Sequence, residues 1–132
     1  MSVIVRDDGF HPDDWAEGFA PPAANARVRG LALGPEADIE ALDLAGVAAI
    51  RIDFPKFSDG RGFTLARRLR AMGFEGRLRA AGHVIADQYA MARRSGFDEV
   101  EIDAALAKRQ LEDQWLARAD WRAHDYRSRL RG

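Results

Sequence analysis

From Val28 onward, short apolar runs of strand length alternate with stretches that carry a helical stripe, and this rhythm restricts the folds open to the chain. "VRGLALG" (Val28 to Gly34) and "VAAIRIDF" (Val47 to Phe54) read as strands, with a brief helix in "DIEALDL" between them. "FTLARRLRAMG" then places Phe63, Ala66, Leu69 and Met72 on one helical face, with Gly73 as a stop. "GRLRAAG" is a third strand, and "HVIADQYAMARRSG" a helix that turns Val84, Ile85, Tyr89 and Ala92 inward. "DEVEI" makes the fourth strand, followed by a last helix, "DAALAKRQLEDQWLARAD", on which Ala104, Ala107, Leu111 and Trp115 share a face. Four such cycles call for βα units with right-handed crossovers, and so for a small, mostly parallel four-stranded α/β sheet. An open doubly wound sheet and a half-barrel both accommodate the pattern. The open sheet is favoured, because four units cannot close a barrel.

The segment before this rhythm has a different character. Val3 to Val5 is a short β-type run, Asp8-Gly9 is a hairpin signal and His11-Pro12 a breaker, so residues 1–27 read as a hairpin arm and connector. Residues 28–118 then form the α/β domain, and residues 119–132 a basic and aromatic tail. A chain of 132 residues suits one core. Twenty Lys and Arg against twenty-one Asp and Glu leave no strong positive field, so nucleic acid is an unlikely partner. With no cysteine, thiolate catalysis, disulfides and cysteine-ligated metals are excluded. Acidic residues interrupt the N-terminus too soon for a signal-peptide core and no run approaches membrane-spanning length, so the expected location is the cytoplasm.

In parallel α/β folds the loops that leave the carboxyl ends of strands line the ligand crevice. "PKFSDGRG" is such a loop. Ser58 or Asp59 can cap the following helix, while Gly60 and Gly62 allow tight turns or the close approach of a bound group. Arg61 is unexpected in a first helical turn, where the helix dipole prefers negative charge. An oxyanion docked on the free amides would account for it, and so would a structural turn carrying a solvated arginine. The spacing of a phosphate-binding or dinucleotide-binding loop is absent.

A second polar group falls at the next strand end. Arg77 and Arg79 lie on one side of an extended chain, and His83, Asp87 and Gln88 follow near a helix start. His83 and Asp87 are spaced to meet on one helical face, as an ordinary ion pair or as a tuned histidine. Asp59, Gly60, Arg61, Arg79, Asp87 and Gln88 are thus expected at one sheet edge, in a pocket walled by Phe54 and Phe57 that would take an anionic ligand. The scattered His11, His83 and His124 give no metal-binding spacing, no cofactor is implied, and no catalytic residue can be assigned. In the tail, Arg118, Arg122, Arg127, Arg129 and Arg131 interleave with Trp121 and Tyr126. With Trp115, these aromatics are candidates for a partner or homodimer contact.

Phe54 to Ile102 resembles a bacterial family of unknown function whose genes commonly sit beside sulfite reductase and sulfate-assimilation genes. The resemblance rests on Phe54, Pro55 and Phe57; Asp59, Gly60 and Arg61; Ala66, Arg67, Leu69 and Arg70; Leu78, Arg79 and Ala80; Gly82; Asp87 and Gln88; and Gly96 and Phe97, in that order and spacing. His83 departs from it, since an acidic residue is frequent there. What the resemblance implies is context: an accessory role in sulfite or sulfate reduction, with sulfite reductase or another sulfur-assimilation enzyme as partner. A small enzyme or enzyme subunit acting on a sulfur oxyanion or nucleotide is the alternative.

Overall fold

The computed structural model describes residues 2–22 and 28–121. Its centre is a six-stranded mixed sheet in the order β2-β1-β6-β5-β4-β3. The strands are β1 (Ser2–Arg6), β2 (Gly9–His11), β3 (Gly30–Leu33), β4 (Ala49–Phe54), β5 (Arg77–Gly82) and β6 (Glu99–Asp103). The last four are parallel and adjacent in chain order, as the βα rhythm requires. The four-stranded expectation needs correction. The N-terminal hairpin joins the same sheet, with β1 pairing antiparallel to both β2 and β6.

The helices are α1 (Arg61–Ala71), α2 (Tyr89–Ser95), α3 (Ala104–Arg109) and α4 (Glu112–Leu116), with 3-10 turns at Ile39–Ala41 and Ala86–Gln88. Consecutive parallel order and right-handed crossovers place every crossover on the same side of the sheet. Burial agrees, because Leu31, Leu33, Ile50, Ile52, Phe54, Leu78, Ala80, Val100 and Ile102 form one apolar cluster with Phe63, Leu69, Tyr89 and Trp115 from the helices. A doubly wound sheet needs a reversal of strand order and helices on both faces. This connectivity is that of a barrel segment.

Several helices are shorter than the sequence pattern. The 3-10 turn at Ile39–Ala41 replaces the expected helix between β3 and β4. Chain 83–96 begins extended and becomes α-helical only at Tyr89. Beyond β6 the expected long helix is broken between α3 and α4, where Gln110 and Leu111 are extended. Gln110 is occupied at the break: its side-chain oxygen accepts from the Ala86 N–H at 2.7 Å and its carbonyl from Trp115 Nε1 at 3.0 Å. The break rotates Leu111 into solvent while Trp115 is buried against Tyr89. Met72 is likewise exposed, and Leu65 takes part in the core instead.

The other face of the sheet carries charge. Strands β4, β5 and β6 alternate apolar and polar positions, so Arg51 and Asp53, Arg77 and Arg79, and Glu99, Glu101 and Asp103 all turn away from the helices. The chain after β2 crosses part of this face, where Asp13 and Asp14 meet Arg79, Arg77 and Arg6. Phe19 lies beneath two guanidinium groups, 4.9 Å from that of Arg51 and 5.2 Å from that of Arg79.

Candidate functional site

The carboxyl ends of β3 to β6 form the edge on which such folds place their ligands. Gly82 stands at its middle with φ of +97°, and a Cβ there would lie 2.8 Å from the Phe54 carbonyl oxygen and 3.0 Å from Asp53 Oδ1. Only glycine lets β5 pass this close to β4 and turn. Directly afterwards the His83 N–H donates to the Phe54 carbonyl at 2.9 Å, which fixes the loop against the strand.

Two open depressions meet at Gly82 and Glu101. The first, of about 380 Å³, has apolar walls from Phe57, Ile85 and Leu106, with His83 and Arg109 among its polar residues. The second, of about 490 Å³, lies over the strand ends on the helix-free face, between Ala32, Arg51, Asp53 and Ala81. Among the described residues no group of three His, Asp or Glu is placed to hold a metal ion, and no helix is long and apolar enough to cross a membrane.

The residues expected to share a pocket are dispersed among internal contacts. Asp59 and Arg61 bind each other: the Asp59 carboxylate accepts from the Arg61 side chain at 2.7 and 3.0 Å and from its backbone N–H at 3.1 Å. The side-chain hydrogen bond from Arg61 holds Asp59 well below the usual carboxylate range, at about 2. Gly60 is the residue at the start of α1, without a side-chain cap. Asp59 thus presents its own anion to the first turn, in the place open to a bound oxyanion. Arg79 lies on the helix-free face, fully buried, bonded to Glu99 at 2.6 Å, Glu101 at 2.8 Å and Asp13 at 3.0 Å.

Asp87 does not meet His83; it pairs with Arg118 at 2.8 Å on the surface. Gln88 has a structural task, accepting from the Ile85 N–H at 3.0 Å and donating to the Phe57 carbonyl at 2.5 Å. It ties the β5 and β4 loops together. Of the two aromatics expected as walls, Phe54 is in the core and Phe57 stands 60% exposed on the edge.

The aromatic candidates for a partner contact also separate. Trp115 is 1% exposed, packed edge-on to Tyr89. Trp121 lies 4.8 Å from the Arg93 guanidinium and donates to Asp7 at 3.3 Å. Asp7 also accepts from buried Tyr89 at 2.6 Å, and burial together with that carboxylate pushes the Tyr89 phenol far up. Tyr126 lies outside the described residues.

Arg51, Asp53, Glu101 and Arg109 line the edge but were absent from the sequence expectation. A signal for the first three was present. "IRIDF" and "EVEID" alternate with period two, which sets their charged residues on a common face. Reading these segments only as apolar runs hides it. No curated protein matches the chain. Residues 30–130, which include β3 to β6 and the whole carboxyl edge, match the bacterial proteins of unknown function designated DUF934, and the chain belongs to that family.

Proposed function

We propose that this chain is an accessory protein of sulfur assimilation, acting in the cytoplasm by binding a partner enzyme at the edge beside the Asp-Gly-Arg turn. Sulfite reductase is the first partner to test. The sulfur context rests on the sequence resemblance and on the gene neighbourhood that the resemblance implies. One observation supports the binding role: Phe57, next in sequence to Lys56, stands 60% exposed at an open depression with apolar and polar walls that Arg109 also lines. Neither cation makes a salt bridge among the described residues, although the Lys56 charge acts on Asp59. An exposed aromatic bordered by positive charge is the composition of an interface hot spot with a polar rim.

The alternative, an enzyme working on a sulfur oxyanion, needs Arg61 to release Asp59 and take the substrate. It also needs a proton-transfer group beside it, and the edge is open rather than enclosed. Calorimetric titration of the purified reductase with the full chain separates the readings. A complex weakened about thirtyfold or more by Phe57→Ala supports the partner role, because loss of a hot-spot side chain costs about 2 kcal/mol or more. No complex, together with a thermal midpoint raised by sulfite or sulfate and lost in Arg61→Ala, would put the anion reading in its place.

A further inference from the structure

On the helix-free face nearly every charge is committed. Arg6, Arg77 and Arg79 all donate to carboxylates, and Asp13, Asp14, Glu99 and Glu101 accept from them. Asp103 caps α3 through the Leu106 N–H. Arg51 and Asp53 differ. The Arg51 guanidinium rests on Phe19 and stands 3.9 Å from Glu101, yet it makes no hydrogen bond to any described residue although its side chain is only 35% exposed. Asp53, two positions along β4 on the same face, has neither a hydrogen bond nor an ion pair among the described residues. Both line the hollow of about 490 Å³.

The hollow has two structural causes. Its floor is small: Ala81 stands between Asp53 and Glu101 in the row above Arg79 and Glu99, and Ala32 and Gly34 line the β3 side. The covering chain also reaches this face at Phe19 and then leaves to pair with β3 at Ala20, so the carboxyl half of the face stays open. Its volume falls within the range of small-molecule sites, about 300–1,000 Å³.

We propose that this hollow binds a small zwitterion of the α-amino acid kind, its carboxylate on Arg51 and its ammonium on Asp53. A guanidinium offers a planar fork that matches a carboxylate, and an ammonium brings three donors to a carboxylate that has none. Residues two apart on a strand stand roughly 6.5 Å from each other, a gap that a molecule with its two charged groups on one carbon bridges as the longer Arg51 side chain folds toward it. A simple oxyanion fits less well. It would meet one guanidinium, already 3.9 Å from Glu101, and two nearby carboxylates, Asp53 and Glu101, whereas a zwitterion supplies a positive group for them.

This site does not depend on the partner reading, and its test is separate. Titrate the isotope-labelled full chain with glycine, L-alanine and L-methionine, and follow the backbone amides of Ala32, Ala81 and Gly82. At least one amino acid is expected to give saturating shifts there by about 10 mM, with acetate and ethylammonium weaker by about tenfold. Arg51→Lys and Asp53→Asn should each weaken binding by about tenfold, and Ala81→Leu should abolish it by filling the floor. Dispersed spectra of the two charge variants show that the fold is retained, so their loss reads on the site. The proposal is overturned if no amino acid shifts these amides more than acetate does, or if Ala81→Leu binds as the unaltered chain does.

Discussion

Arg79 shows how a residue's surroundings decide its role. It is fully buried, and its near neighbour Glu99 is 2% exposed. Burial alone would favour the neutral guanidine, but the hydrogen bond to Asp13 and the charge of Glu99 outweigh it and hold the group charged above its usual range. Breaking a buried pair by removing one partner leaves an uncompensated charge. Arg79→Met is therefore expected to lose about 3–5 kcal/mol of stability in urea unfolding. Arg79→Lys should not restore it, since an ammonium cannot reach three carboxylates with a planar fork. Removing Arg61, exposed and paired with Asp59, should leave the midpoint close to that of the unaltered chain. An Arg79→Met variant as stable as the Arg61 variant would refute the assignment. The sequence did show the direction of Arg79, since the two-residue period set it opposite Leu78. What hid its role is that its partners lie 66, 20 and 22 residues away, so that only the assembled sheet brings them together.

At the scale of elements, strands were more legible than helices. The parallel strands stand between breakers, β3 to β5 fall inside the runs read from the sequence, and β6 runs one residue past its run, to Asp103. Helix lengths were overcalled, because a stripe of apolar residues cannot show where a side chain such as Gln110 draws the backbone into other hydrogen bonds. The strand ends depend on a conformation that composition only hints at. Gly82 turns β5 away at φ +97° beneath the Phe54 carbonyl, and an alanine there would place its Cβ 2.8 Å from that backbone oxygen. Both faults act on the same turn, so Gly82→Ala should cost about 1–3 kcal/mol in urea unfolding. The His83 amide should also move in the nitrogen-edited spectrum, because its hydrogen bond to Phe54 is the next link in the chain. An unchanged His83 resonance would mean that the turn has room the geometry denies it.

For the whole molecule, the decisive feature is that the segment before Val28 supplies two strands and a bridging residue to the sheet. A parallel sheet leaves two edges exposed for pairing with other chains, and both are managed here. Ala20 pairs with β3 at one edge, and β1 occupies the other, carrying β2, whose Phe10 N–H is in turn capped by Glu112 at 2.7 Å. Ile4 and Val5 are fully buried, Asp13 completes the Arg79 network, and Arg6 donates to Glu99. The expected boundary between an arm of residues 1–27 and a domain of residues 28–118 therefore runs through shared packing. A chain starting at Val28 would expose the β6 ladder, open the apolar core at Val5 and leave Glu99 and Arg79 short of partners together. These losses fall on contacts that hold one another in place, and a native stability of about 5–15 kcal/mol does not cover them. Such a truncated chain is expected to show poorly dispersed amide spectra and no cooperative thermal transition, whereas a sharp transition near that of the full chain would make the hairpin an appendage after all.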